Sequence, residues 1–343
     1  MINRQIVLAS RPQGVPQPDH FELKTVAVPV PGPQQILVEN VLLSVDPAQR
    51  GYVNEENNYA QPVPIGGVMR ALAVGRVISS QLPQYRVGEH LYGWFGWQDY
   101  CVCGPEAVFR RVDPTQAPLA AGAGLLGING LTARLALQEI GAPKEGETVV
   151  VTAGAGAVGS IVGQLAKVAG CRAVAVVGSE EKGRQCLDEF GYADYVNYKR
   201  PWAEALNRVC PKGIDIFFDN TGGELLDGVL RQMNLFGRVI VCGTISIPAW
   251  IPAPIGLRNE REILTRRLRV QGFVIFDHVA KFDAVAAELA AMRAQGALVT
   301  RDDIEVGLQK APQALVDVYA GRNRGKKLVR LRADDSPPGE PGL

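Results

Sequence analysis

A chain of 343 residues that is 47% hydrophobic and 21% charged can bury a large core and has the length of two domains. Lys plus Arg number 36 against 35 Asp plus Glu, so no field of either sign steers the molecule onto nucleic acid or an anionic membrane surface. The opening MINRQIVLAS lacks the sustained apolar core of a secretory signal, and no apolar run approaches the ~18 residues of a membrane span, which makes the cytoplasm the expected compartment.

The first third reads as β structure. Apolar segments at 36–45, 71–78 and 100–102 are short and are broken by the turn signals PVPGP, PIGG and RVGEH. From about Leu131 the rhythm changes to β-branched strands alternating with helical stretches, the pattern of a parallel doubly wound sheet. Strands are expected at 148–153, 173–177, 195–197, 214–219, 238–242 and 268–275, with helices at 156–169, 180–190, 202–209, 223–233 and 258–266. An Ala-rich helix follows Phe282 as far as Gln295, and a last β-like piece ends in KKLVRL and is expected to rejoin the first domain. The tail at 334–343, DDSPPGEPGL, combines Pro, Gly and acid without an apolar anchor and is expected to be disordered.

Chemistry concentrates in TVVVTAGAGAVGS, residues 148–160, where a β-branched strand feeds Gly154, Gly156 and Gly159 in the spacing G-x-G-x-x-G and a helix follows. In that context the first glycine permits a tight turn, the second lets backbone N–H groups reach a pyrophosphate, and the third lets helix pack closely on strand. The pyrophosphate then lies at a helix N-terminus, where unpaired N–H groups and the helix dipole favour anions. At the end of the next strand, where a carboxylate would select NAD, the chain has Gly178 and Ser179, with Lys182 and Arg184 close behind. Small residues leave room and cations neutralise a 2′-phosphate, so NADP(H) is expected. Glu180 and Glu181 suit the first turn of any helix and leave open a reading in which Lys182 and Arg184 only solvate its surface.

Cys101, Cys103, Cys171, Cys186, Cys210 and Cys242 lack the dense spacing of a disulfide scaffold and read as reduced thiols. Cys101 and Cys103 alternate along a strand and share a face, but His20, His90 and His278 are isolated from them and from one another, and no metal is expected.

Nine blocks carry a resemblance that spans nearly the whole chain: SVDPAQRG at 44–51, GLTA at 130–133, AGAVGSIVGQLAK at 155–167, GSEEK at 178–182, VNYK at 196–199, DNTGGE at 219–224, CGTIS at 242–246, QGFVI at 271–275 and GRNRGK at 321–326. Together they resemble the zinc-independent medium-chain dehydrogenases/reductases, in the branch that includes the prostaglandin, alkenal double-bond and curcumin reductases. The resemblance implies an α/β fold: a GroES-like β-rich catalytic domain at 1–130 and 300–333, and a Rossmann NADP-binding domain with a doubly wound parallel sheet at 131–299. It also implies NADPH as hydride donor, a small hydrophobic enone or enal as substrate, and a homodimer. Carried over by residue, it puts the pyrophosphate on Ala157, Val158, Gly159 and Ser160, and the 2′-phosphate on Lys182 and Tyr198. Asn220, the run Cys242, Gly243, Thr244, Ile245 and Ser246, the backbone of Phe273, Val274 and Ile275, and Asn323 would hold the nicotinamide half. For Tyr198 the rival role is to cover an edge strand, for Asn220 a plain helix cap, and for Asn323 a plain turn.

The chain departs from its relatives at two places. Several place a tyrosine two residues after CGTIS, where this chain has Pro248, and an aromatic after the DP of the first block, where it has Ala48. Aromatic candidates for an apolar pocket are Tyr52, Tyr59, Trp94, Trp97, Trp250 and Phe276, with Tyr52 the candidate donor to a developing enolate. The expected reaction is NADPH-dependent reduction of a double bond conjugated to a carbonyl. A quinone reductase of the same superfamily and a noncatalytic NADPH-binding protein are the alternatives.

Overall fold

A computed structural model describes residues 2–55, 59–247 and 249–332. The tail at 334–343 and Pro248 lie outside the described residues. In chain order the elements are β1 (Ile2–Leu8), β2 (Phe21–Ala27), β3 (Ile36–Ser44), α1 (Gln49–Tyr52), β4 (Leu72–Ser80), β5 (His90–Trp94), β6 (Tyr100–Cys103), β7 (Val108–Val112) and α2 (Leu119–Ala123). Then come α3 (Ile128–Ala136), β8 (Thr148–Thr152), α4 (Gly159–Val168), β9 (Arg172–Val177), α5 (Glu180–Asp188), β10 (Asp194–Asn197), α6 (Trp202–Val209), β11 (Ile214–Asp219) and α7 (Gly223–Val229). The series ends with β12 (Met233–Val241), α8 (Glu260–Arg266), β13 (Arg269–Gly272), α9 (Phe282–Ala294), β14 (Asp302–Val306), α10 (Ala311–Tyr319) and β15 (Lys326–Arg330). They form two compact units, one running to Gly127 and resuming at Arg301, the other Ile128–Thr300.

The first unit is the GroES-like one. Its main sheet has the order β14, β15, β3, β4, β5, β7, with β6 also on β3, and β1 pairs antiparallel with β2 in a separate two-stranded sheet. β3 (ILVENVLLS) is buried at every position but the half-buried Glu39. The late strand β15 runs antiparallel to it, with Leu328 opposite Ser44 and Arg330 opposite Leu42, so the two ends of the chain share one sheet. A buried polar knot sits at that junction. Lys326 Nζ lies 2.6 Å from Asp46 Oδ1 and donates to Val45 O at 3.1 Å, Ser44 Oγ donates to Asp46 Oδ2, and the Asp46 N–H donates to Gln49 Oε1 at 3.0 Å.

The second unit is a Rossmann sheet of six parallel strands in the order β10, β9, β8, β11, β12, β13. The chain starts at the centre, steps outward twice, then returns to the other side of β8, which creates a topological switch between β8 and β11. Val149–151, Val174, Phe217, Phe218, Val239 and Ile240 are all fully buried, the continuous apolar runs expected of strands covered on both faces. Several expected elements shift. α4 begins at Gly159 and not at 156, because Ala153 takes φ +52° and Gly156 N closes a turn on Ala153 O at 2.8 Å. The helix from 223 ends at Val229 and passes through a single 3₁₀ turn, so that Met233 opens β12. The strand expected at 268–275 shortens to β13, since a 3₁₀ stretch takes over at Ile275–Lys281.

The junction of the first unit yields a stability prediction. Both side chains of the Lys326–Asp46 pair are nearly inaccessible, so removing one partner strands a buried charge. Lys326→Met should destabilise the unit by about 3–5 kcal/mol, measured as a shift in its urea midpoint. An unchanged midpoint would show that the pair contributes nothing net.

Candidate functional site

The glycine loop follows from what its positions cannot accommodate. A Cβ on Gly159 would sit 2.3 Å from Ala153 O and 2.9 Å from Gly154 Cα, so only glycine lets the first turn of α4 rest on the end of β8. On Gly154 it would meet the Cβ of Ala175 in β9 at 2.6 Å. α4 starts without a side-chain cap, and among the described residues the N–H groups of Ala157 and Val158 have no hydrogen-bond acceptor. Ser160 N, by contrast, is satisfied by Gly156 O at 2.9 Å. Open N–H groups at a helix N-terminus, over a floor without side chains, fit a phosphate-sized anion. Sequence reasoning missed what supports this turn: Tyr192 Oη donates to Gly159 O at 2.6 Å, and its ring fills the space of a missing Cβ on Gly163. The four-residue spacing of Gly159 and Gly163 is the signal that could have found it.

At the carboxyl end of β9, Ser179 caps α5, its Oγ accepting from Lys182 N at 3.2 Å. Tyr198, 41% exposed, lies over Gly178, where a Cβ would come within 3.0 Å of Tyr198 Oη. Ser179, Lys182 and Tyr198 are thereby gathered in one place. The acid next to them is directed elsewhere. Glu180 accepts from Tyr195 Oη at 2.7 Å and Asn197 Nδ2 at 2.9 Å, with Arg200 at 3.4 Å. The bonds from Asn197 and Tyr195 hold its carboxyl below the usual range.

Across the switch, Asp219 at the end of β11 is fully buried. Its Oδ1 accepts from Thr152 Oγ1 at 2.8 Å and from the N and Oγ1 of Thr221 at 3.0 Å, and its Oδ2 accepts from Gly222 N at 2.9 Å. Burial pushes this carboxyl up against the pull of those hydrogen bonds. Asn220 does not cap the following helix, whose N-cap is Gly222. Its N–H instead donates to Thr152 Oγ1 at 2.7 Å and its Nδ2 to Thr152 O at 2.8 Å, which locks it across the ends of β8 and β11.

The run Cys242–Ser246 is fastened to the same corner. Cys242 N and Gly243 N donate to Asp219 O at 2.8 and 3.1 Å, and Ser246 donates through N and Oγ to Thr221 O at 3.0 and 2.7 Å. A Cβ on Gly243 would stand 2.7 Å from Asn220 O, and burial pushes the Cys242 thiol up to about 12. Thr244 and Ile245 form the turn between these anchors, closed by Ile247 N on Thr244 O at 3.0 Å. Phe273 N continues the ladder to Val241 O at 3.1 Å, and the Phe273 ring stacks on His278 at 4.8 Å, leading into Val274 and Ile275. Trp250 is exposed and Phe276 half-buried in this unit.

In the first unit the aromatic candidates divide. Tyr59 is exposed and Trp94 half-buried, whereas Trp97 is 0% exposed and tilted against Phe21 at 5.3 Å. The expectation that Trp97 lines a pocket is therefore corrected: its large ring is core. Tyr52 is 2% exposed, met edge-on by Trp94 and Tyr59, and burial pushes its phenol well above the ordinary value. Asn323 Nδ2 donates to Gly325 O at 2.8 Å and braces its own turn. Among the described residues no group of three or more His, Cys, Asp or Glu side chains could hold a metal ion, and no helix is long and apolar enough to cross a membrane.

Comparison with known proteins places this geometry in a lineage. Residues 4–110 match the family described as the N-terminal domain of oxidoreductase, and residues 157–292 the family described as zinc-binding dehydrogenase. An NADPH-dependent curcumin reductase of Escherichia coli is 39% identical over 97% of this chain and 98% of its own. A 2-alkenal reductase (NADP(+)-dependent) of Nicotiana tabacum is 35% identical over 96% and 97%. The crystal structure of CurA from Vibrio vulnificus in complex with NADPH superposes with a TM-score of 0.90 at 37% identity, covering 96% of this chain and 99% of that one. The chain therefore belongs to the medium-chain dehydrogenase/reductase family, in the zinc-independent branch of the curcumin, alkenal and prostaglandin reductases.

Proposed function

We propose that this protein reduces the carbon–carbon double bond of α,β-unsaturated ketones and aldehydes with NADPH. The observation that carries the cofactor in this reading is Ser179, Lys182 and Tyr198 at the end of β9, with Glu180 turned onto β10. Relatives over 90% or more of this chain are named as curcumin, 2-alkenal, (+)-pulegone and prostaglandin reductases, which supports the conjugated alkene as the acceptor.

On this reading Gly154, Gly156, Ala157, Val158, Gly159 and Ser160 hold the pyrophosphate, and Ser179, Lys182 and Tyr198 the 2′-phosphate. Asn220, the run Cys242–Ser246, Phe273 to Ile275, and Asn323 serve the nicotinamide half. When bound, NADPH supplies the hydride received by the β-carbon of the alkene. Asp219 contributes indirectly, fixing Asn220 and the Cys242–Ser246 run before substrate arrives, so that little reorganisation is needed in the reaction. Burial keeps the Tyr52 phenol neutral, and on this reading it donates to the developing enolate oxygen or packs, while solvent supplies the proton to the α-carbon. Cys101, Cys103, Cys171, Cys186 and Cys210 are buried unpaired thiols and Cys242 a half-buried one, which suits a reducing compartment, and we assign the protein to the cytoplasm.

The test is a panel of enones, enals and quinones scored by NADPH consumption and product mass, after prolonged chelation. Saturated ketones or aldehydes should form without loss of rate. Turnover of quinones alone, or of nothing despite tight NADPH binding, would replace the proposal with a quinone reductase or a noncatalytic binder.

Cofactor choice has its own test. Loss of the charged contact of Lys182 should cost ~1.5–3 kcal/mol, about 10- to 150-fold in affinity. Lys182→Ala should weaken NADPH by that factor and leave NADH nearly unchanged in a fluorescence titration. An equal loss for both would remove Lys182 from the phosphate pocket.

A homodimer is proposed through the edge of the second unit. Among the described residues β13 pairs only with β12, its residues are exposed, and Val270, Leu235, Phe236 and Leu264 are exposed on these strands and on α8. An open edge with apolar neighbours is a template for another copy of itself. Light scattering should give twice the 36.9 kDa chain mass, and a value of 36.9 kDa would refute the dimer.

A further inference from the structure

Arg70 stands just before β4 in the first unit, half-buried. Its guanidinium carbon lies 5.7 Å from the centre of the Tyr52 ring and 6.0 Å from that of Trp94. Those rings meet edge-on at 5.9 Å, and the aromatic surface continues from Tyr52 to Tyr59 at 6.5 Å and from Trp94 to Phe109 at 6.0 Å. Arg70 Nη1 donates to Gln61 O at 2.8 Å, and Gln49 Nε2 donates to Arg70 O at 3.3 Å, tying the residue to the block that contains Asp46.

Among the described residues no carboxylate pairs with this cation. Asp46 is engaged by Lys326 at 2.6 Å, and Glu55 by Arg11 at 3.3 Å. The neighbouring phenol of Tyr52 is neutral and brings no compensating charge. Ring faces offset part of the cost of taking a guanidinium out of water, and Nη1 is taken by Gln61 O; among the described residues Nε and Nη2 donate to nothing, and that side of the fork matches a carboxylate.

We propose that Arg70 is a specificity-determining residue that binds a carboxylate carried by the substrate, whose apolar body lies on Tyr59, Trp94 and Phe109. The substrate class is an apolar enone or enal that carries a carboxylate. The reaction named here rests on the enone-reduction reading, whereas the recognition of the carboxylate does not.

The experiment compares kcat/KM for an enone bearing a terminal carboxylate with that for its methyl ester. The acid should be preferred about tenfold, equivalent to about 1.4 kcal/mol. Arg70→Met should abolish the preference and Arg70→Lys should retain part of it, since charge survives and the planar fork does not. If the methionine variant fails to fold, Arg70→Gln should abolish the preference equally. Equal rates for acid and ester in the unaltered protein, or a preference that survives in Arg70→Met, would overturn the proposal. Calorimetric titration of the protein with 4-phenylbutanoate and with its methyl ester, in the presence of NADP+, tests recognition without turnover. Tighter binding of the acid, lost in Arg70→Met, supports Arg70 even if no enone reacts, an outcome that would sink only the reaction. Equal affinities would refute its role whatever is reduced.

Discussion

A buried carboxylate organises the corner on which the second unit depends. Asp219 has no cation beside it among the described residues, and its charge is held by hydroxyl and backbone donors from Thr152, Thr221 and Gly222. Burying such a group costs several kcal/mol unless its lone pairs are filled, so the segments that fill them are constrained to fixed positions. The carbonyl of the same residue collects Cys242 N and Gly243 N, which extends the constraint to the end of β12. One residue therefore sets three strand ends in register at the switch point, where an open parallel sheet binds its ligands.

The glycine loop shows the complementary device, in which structure is fixed by what is missing. Gly159 lets backbone rest on backbone at Ala153, and Gly163 lets Tyr192 pass beneath α4 to bond the carbonyl of Gly159. The helix N-terminus is held close to β8 with the N–H groups of Ala157 and Val158 open among the described residues, as an anion site requires.

In the first unit the organising group is an ion pair. Asp46 and Lys326 are 280 positions apart in sequence, yet they meet at 2.6 Å where β15 closes on β3. The pair connects the block SVDPAQRG to the block GRNRGK, which gives a physical reason for a charge at each of these two buried positions. Gln49, in the first of these blocks, then reaches Arg70 O, so the aromatic wall and its cation hang on the same junction.

Much of the fold was legible because it is written in local properties. Continuous β-branched and aromatic runs between helical stretches dictate buried parallel strands, and Gly154, Gly156 and Gly159 mark a turn that only glycine can make. What tertiary structure alone decided is where neighbouring side chains point. Ser179 and Glu180 are adjacent, but Tyr195 and Asn197 draw the acid onto β10 while Ser179 caps Lys182 N and Tyr198 lies over Gly178. Trp94 and Trp97 are three residues apart, and one borders the aromatic wall while the other is core. Asn220 on Thr152, Tyr192 under Gly163 and Arg70 beside Tyr52 and Trp94 join residues separated by tens of positions. No local period encodes such pairings, because they arise only when the strands have docked and each buried polar group has found its partner.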